Sequence, residues 1–315
     1  MNSPYRILIT GVSGDIGYSC VRALSQEDCY LLYGIDISPL CPVTNLLDSF
    51  TLVPPVTSNL YLQKIFSLIE LYNIDIILPT SEAEILFFNK NRQYFKNTKC
   101  SLAINNKNII DCFSNKYETA IFIKKLGFNA PSTYDLKDFH FEIPFPLIVK
   151  PIHGSGSSHV YLIHDKKEFD RINTEKTPYL VQEYLPGEDQ EYTSTIFSDG
   201  TTTTCITFRR ILKNGISHFV ELVDSPDIKA MGKKIASAIQ LYGSINIQTR
   251  KVNGEHVVFE INPRLSSTIF FRNMVGFKDA HWWIQTLLGN KIPSFSLTRS
   301  SFRGLRYLTE VCLEG

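Results

Sequence analysis

Apolar and polar residues alternate in blocks along this chain, and the first third reads as strand, helix, strand. Residues 6–11 form an apolar-rich run, the pattern of a strand buried on both faces. They end in the turn Gly11-Val-Ser-Gly14-Asp-Ile-Gly17, and a helical period follows over 16–24. Residues 30–36 repeat the strand pattern and finish on Asp36. Helical spacing returns near 60–71 and 82–94, and strand runs at 74–78 and 101–104. This alternation predicts a small, Rossmann-like, doubly wound sheet.

The pattern then changes. Ser114 opens an amphipathic helix over 115–126 that stops at Gly127, and Pro131 marks an extended connector. Residues 145–150 make a strand ending on Lys150, with a Gly/Ser loop (Gly154, Ser155, Gly156, Ser157, Ser158) directly after it. Further strands are expected at 179–185, 191–197 and 202–210, the last two around Asp199-Gly200, and a helix at 227–241. Two strands then flank Asn253-Gly254, the strongest short-range hairpin signal a sequence offers. The stretch 270–288, with Trp282 and Trp283, reads as helix packing into the core, and 304–313 as a closing strand.

Composition narrows the classes. At 315 residues, 43% hydrophobic and 20% charged, the chain is ordinary globular material for two or three domains or one large one. A formal net charge of +1 argues against a large nucleic-acid or anionic-membrane footprint. The seven cysteines form no Cys-x-x-Cys pair, a pattern of reduced thiols in a cytoplasmic protein. No signal-peptide pattern and no membrane-spanning apolar stretch is read.

The hairpin carries the densest chemistry. Pairing its strands brings Gln248 near Glu260, and Glu260 and Asn262 share one face of an extended segment, with Arg264 beside them. Hard oxygen ligands next to a guanidinium suit magnesium on phosphates; the solvent side of any half-buried hairpin shows the same spacing. The loop after Lys150 offers backbone N–H groups to phosphate, or is a plain flexible turn. The first glycine turn has two readings. Gly11, Gly14 and Gly17 cradle a dinucleotide pyrophosphate with Asp36 on its ribose, or they serve the tight turn alone; the spacing is G-x-x-G-x-x-G, not G-x-G-x-x-G. Glu82 and Glu84 cap the next helix with Thr80 or Ser81, or Glu82 reaches a substrate amine. Arg209 and Arg210 point to opposite faces of a strand, so at most one enters a cleft, where it would bind an acyl phosphate or carboxylate. Ser266 is a substrate contact or a helix cap.

The order Lys116, Lys150 with its glycine loop, Gln182-Glu183-Tyr184-Leu185 with Glu191, then Gln248 and Glu260-Ile261-Asn262-Pro263-Arg264 resembles the ATP-grasp superfamily. The likeness is greatest to the ATP-binding halves of the carbamoyl-phosphate synthase large subunit and covers nearly the whole chain. It implies a Rossmann-like domain over 1–112 and a two-lobed ATP-grasp fold over 113–315, its lid lobe near 127–188 and its catalytic lobe near 189–315: α/β followed by α+β. It implies that Lys116, Lys150 and the loop of Gly154, Ser155, Gly156 and Ser157 hold phosphates. Gln182 and the backbone of Glu183 and Leu185 would read adenine, and Glu191 the ribose. Gln248, Glu260 and Asn262 would hold two Mg2+ ions, which Mn2+ can replace, and Arg264 would sit near the transferred phosphoryl. Catalytic roles fall to Arg264, Lys150 and Arg209, and substrate contacts to Glu82, Ser266 and Arg210. Related loops often carry a basic residue after Gly-Ser-Gly-Ser; here Ser158-His159 follows.

The activity implied is ATP-dependent carboxylate–amine ligation on small molecules, without nucleic acid or membrane, as monomer or homodimer. Two alternatives stand beside it: a Rossmann-type NAD(P)-dependent oxidoreductase or epimerase, and a non-catalytic nucleotide-binding module.

Overall fold

The computed structural model describes residues 3–154, 159–172, 178–187, 190–307 and 311. Ser155, Gly156 and Ser157, expected at the phosphates, lie outside the described residues.

The N-terminal part runs β1 (Tyr5–Thr10), α1 (Asp15–Leu24), β2 (Tyr30–Asp36), β3 (Ser49–Leu52), α2 (Tyr61–Tyr72), β4 (Ile76–Leu78), α3 (Glu82–Lys90) and β5 (Ser101–Leu102). Its strands form a parallel sheet in the order β3-β2-β1-β4-β5. Ile7, Leu8 and Ile9 are all fully buried, as a central parallel strand covered on both faces requires. β3 was not expected, because this short edge strand has no apolar run to announce it. The first glycine turn is shaped by packing: a Cβ on Gly17 would lie 2.1 Å from the Gly11 carbonyl oxygen, and Gly11 itself has φ +62°.

Next come α4 (Lys107–Phe113), which was not expected, and α5 (Lys116–Lys125). Asn115, not Ser114, caps α5: its Oδ1 accepts from the Tyr117 and Glu118 amides at 2.9 and 3.1 Å. β6 (Thr133–Asp135), β7 (Leu147–Pro151), β8 (Tyr161–Ile163), α6 (Lys166–Phe169) and β9 (Tyr179–Glu183) follow. These strands form an antiparallel sheet, β6-β9-β7-β8, over its own small core of Leu147, Val149, Ile163 and Val181.

The last part contains β10 (Glu191–Asp199), β11 (Thr203–Lys213), β12 (Ile216–Val223), α7 (Pro226–Ala238), β13 (Tyr242–Val252), β14 (Glu255–Asn262), α8 (Ile269–Asn273), α9 (Asp279–Leu287) and β15 (Arg303–Leu305). Its antiparallel sheet has the order β14-β13-β10-β11-β12-β15. The apolar stretch expected as one helical run over 270–288 is two helices, broken around Gly276 at φ +87°. The closing strand is shorter than expected, and 308–310 and 312–315 lie outside the described residues.

α4, α5 and α7 pack with β10 and β13 in one core; α1, α8 and α9 share another with β1 and β10. Ile9 of β1 and Val21 of α1 therefore belong to the same apolar cluster as Phe197, Phe208 and Trp283. The N-terminal sheet is joined to the six-stranded antiparallel sheet by a continuous apolar core. Among the described residues no helix is long and apolar enough to cross a membrane.

Candidate active site

β13 and β14 pair in the register that sets Gln248 opposite Glu260 and Asn246 opposite Asn262, with a bulge following Gln248. Alternation puts Asn246, Gln248 and Arg250 on one face of β13, and all three line a cleft of about 360 Å³ together with Glu260, Asn262 and Arg264. Glu260 Oε1 accepts from Asn262 Nδ2 at 3.1 Å, which turns the Asn262 carbonyl away from its neighbour. Arg264 Nη1 donates to the Leu265 carbonyl at 3.0 Å, and its buried Nε has no partner among the described residues.

The opposite wall comes from the four-stranded sheet. Lys150 stands on β7 on the same face as Ile148, and both reach the cleft. The lysine is 6% exposed, and burial pulls its pKa down to about 8. Lys116 and Arg250 add to that pull and Glu260 opposes it. Lys116 Nζ hydrogen-bonds the Gly154 carbonyl, while the Gly154 amide donates to Glu82 Oε1 at 3.0 Å. Glu82 is thus tied to the loop glycine and does not line the cleft. Gln182 is buried, and its Nε2 donates to Thr133 Oγ1 at 2.9 Å.

At the junction between the two antiparallel sheets, Glu191 is clasped by two guanidinium groups. Arg210 gives Nε and Nη2 to Oε1 at 2.9 and 2.7 Å, and Arg250 gives Nη2 to Oε2 at 2.7 Å. Arg250 Nη1 also donates to the Leu185 carbonyl at 2.6 Å. The Glu183 amide donates to Ser132 O at 2.9 Å.

Several sequence expectations need correction. Arg209 points away from the cleft and pairs with Glu221 beside Arg303, because its neighbour Arg210 takes the cleft side of β11. Ser266 lines the cleft, but its hydroxyl accepts from Arg272 Nη1 at 2.9 Å and meets Thr268 Oγ1 at 3.0 Å. Arg210, expected as a substrate contact, is 6% exposed and engaged with Glu191. Ser81 caps α3 as expected, accepting from the Glu84 amide at 3.3 Å, but the buried Glu84 carboxylate does more, accepting the hydroxyls of Thr10, Tyr61 and Ser81 at 2.6–2.7 Å. Asp36 accepts from the amides of Ser13 and Ser38 at 2.8 and 2.9 Å, one local backbone donor on each oxygen.

Sequence reasoning missed five residues. Arg250 reads as an ordinary strand charge. Asn246 Oδ1 accepts from Thr193 Oγ1 at 2.8 Å, leaving a buried Nδ2 at the cleft without a partner among the described residues. Asn105 is fully buried and donates both amide hydrogens across the core, to Ser244 O at 2.7 Å and Pro263 O at 3.0 Å. Arg272 and Asp279 form a buried bidentate pair at 3.0 and 2.9 Å, extended by Ser244 Oγ, behind Ser266. The Asn253-Gly254 signal locates the hairpin, but nothing local marks these partners.

One carboxylate and two amide oxygens make a sparse but hard donor set. Among the described residues no group of three His, Cys, Asp or Glu side chains could hold a metal. The set therefore fits magnesium whose remaining ligands are phosphate oxygens, not an all-protein cage.

Comparison with known proteins gives two family matches: residues 113–268 match the ATP-grasp domain and residues 7–103 the PylC-like N-terminal domain. The carbamoyl phosphate synthase large chain of Clostridium beijerinckii is 27% identical over 168 residues, which is 48% of this chain and 16% of that protein. An uncharacterized protein of Methanocaldococcus jannaschii is 29% identical over 202 residues, 59% of this chain and 51% of its own length. The chain thus spans 16% of the first relative's length and about half of the second's. Among solved structures, N5-carboxyaminoimidazole ribonucleotide synthetase in its ADP complex superposes with a TM-score of 0.76 at 16% identity, covering 94% of this chain and 80% of the other. The biotin carboxylase domain of Hydrogenobacter thermophilus 2-oxoglutarate carboxylase, bound to MgADP and bicarbonate, gives 0.73 at 14% identity, with 93% and 72% covered.

Proposed function

From the premise that this chain carries an ATP-grasp domain behind a PylC-like N-terminal domain, we propose that it is an ATP-dependent carboxylate–amine ligase. The observation that carries the reading is the convergence on one cleft of Lys116 and Lys150 from one side and Gln248, Glu260, Asn262 and Arg264 from the other.

In this reading ATP lies between the two antiparallel sheets. Gln182 and the main chain at Glu183 and Leu185 meet the adenine edge, and Glu191 the ribose. Lys116, Lys150 and the loop that begins at Gly154 take the phosphates. Gln248, Glu260 and Asn262 would hold magnesium, two ions with Mn2+ able to substitute, which supplies charge neutralisation on the β- and γ-phosphate oxygens. Arg264 stabilises the charge that builds on the moving phosphoryl group.

A substrate carboxylate oxygen attacks the γ-phosphorus and the bond to ADP breaks, giving an acyl phosphate. An amine nitrogen then attacks the acyl carbon and phosphate leaves, while the amine proton passes to solvent or to the departing phosphate. Positioning and charge neutralisation suffice for the first step, and exclusion of water protects the intermediate. Acid and amine are small molecules that enter beyond Arg264, where α1 of the N-terminal sheet contributes Asp15 and Ile16 to the wall. In place of 209 as a catalytic arginine, the reading retains Arg264 and Lys150.

The test is chemical trapping. Protein, Mg-ATP, a panel of carboxylates and hydroxylamine are combined, and hydroxamate is measured beside ADP. Equimolar hydroxamate and ADP with one class of acid supports the reading. NAD(H) or NADP(H) binding in place of Mg-ATP would return the oxidoreductase alternative.

A further inference from the structure

The nucleotide reading gives Arg250, a residue of the cleft, no task, and the geometry points to one. We propose that Arg250 is a positioning residue: anchored on the Leu185 carbonyl, it aims the Glu191 carboxylate at the ribose hydroxyls. The inference rests on the reading of this cleft as an ATP site with Glu191 at the ribose.

Acceptor bookkeeping on Glu191 carries it. Each carboxylate oxygen offers about two acceptor positions. Oε1 receives two N–H donors from Arg210, at 2.9 and 2.7 Å, and is filled. Oε2 receives one, from Arg250 Nη2 at 2.7 Å. The acceptor position left for a ligand hydroxyl is therefore on the oxygen whose direction Arg250 sets. The same guanidinium holds Leu185 O at 2.6 Å through Nη1, at the other end of the connection between β9 and β10. A planar fork fixes two acceptors at a set angle, which an ammonium on a flexible stem does not. The Arg250 and Glu191 side chains are 16% and 8% exposed, so solvent screens the contact little.

Arg210 remains on Glu191 when Arg250 is removed, so the buried carboxylate keeps a counter-charge. An Arg250→Met variant is thus expected to fold. A staple that served only the fold would, when cut, weaken every nucleotide alike. A residue that aims Glu191 would, when lost, penalise only nucleotides that carry ribose hydroxyls.

The experiment is calorimetric titration of Mg-ATP and Mg-2′,3′-dideoxyATP into wild type, Arg250→Met and Arg250→Lys, with thermal melts of all three. Wild type is expected to prefer ATP by about tenfold or more, and both variants to prefer it by less than about twofold, with dideoxyATP affinity nearly unchanged. A variant that binds both nucleotides more weakly yet keeps the wild-type preference overturns the assignment. Two variants too unstable to titrate would make Arg250 a folding residue and overturn it as well. Wild type that binds both nucleotides equally overturns it together with the ribose role of Glu191. Wild type that binds no Mg-ATP removes the ATP reading itself.

Discussion

Lys150 and Glu260 hold opposite charges on the two walls of the cleft, and the carboxylate offsets part of what burial costs the ammonium. Burial, then Lys116 and Arg250, bring the lysine to about 8 against the pull of Glu260. A phosphate arriving beside it adds a second negative partner and raises that value. Mg-ATP binding near pH 8 is therefore expected to take up a proton, and affinity to fall as pH rises through about 8. Titrations in two buffers of different ionisation enthalpy measure the uptake directly; a buffer-independent heat would contradict it.

The same shift makes a stability prediction. An ordinary lysine titrates near 10.5, and Lys150 near 8 in the folded chain. Between those values the unfolded chain holds a proton that the folded chain has lost, so stability rises with pH across that window. Below about 8 both states hold it, and the full cost of the buried charge is present. Lys150→Met is expected to melt about 2–4 °C above wild type at pH 7 and to lose that advantage toward pH 10.5, while Mg-ATP no longer stabilises it. Scanning calorimetry at several pH values reads both effects.

Asn105 couples the first sheet to the strand ends that carry the site. Removing its amide leaves the Ser244 and Pro263 carbonyls without donors in a fully buried position. Asn105→Ala is expected to cost about 2–4 kcal/mol in urea unfolding.

How much of this was legible follows from where the signals lie. The hairpin with Gln248, Glu260 and Asn262 announces itself because a turn dipeptide and a two-residue spacing are local facts. The Asn214-Gly215 dipeptide is the same kind of signal, with φ of 53° and 75°, yet β12 was not read after it. Its apolar positions are irregular, and the bulge at Ile211 and Leu212 breaks the register of its partner. Arg250 and Arg210 could not be sorted from solvated charges, because their role depends on Glu191, which lies 59 and 19 residues away along the chain. The Arg272–Asp279 pair spans a helix break, so no helical spacing marks it.

That pair supplies a control. Asp279→Ala strands a fully buried guanidinium and is expected to destabilise by about 3–5 kcal/mol, whereas Arg272→Met with Asp279→Leu should cost much less. Chemical denaturation of the three variants decides it.

Arg209 and Arg264 separate in the same way at the cleft. Arg209→Ala is expected to leave Mg-ATP affinity within about twofold, since its partner is Glu221 outside the cleft, while Arg264→Ala loses turnover by about 10²-fold or more. Titration of the first and steady-state rates of the second check the assignment.

The central claim is that Glu260 and its neighbours direct phosphoryl transfer from ATP to a carboxylate. ADP release by wild type and Glu260→Ala across a matrix of carboxylates and amines tests it most directly. The account predicts ADP formation that requires one class of acid, rises further with an amine, and is lost in Glu260→Ala. Tight Mg-ATP binding with no acid ever stimulating ADP release would contradict it.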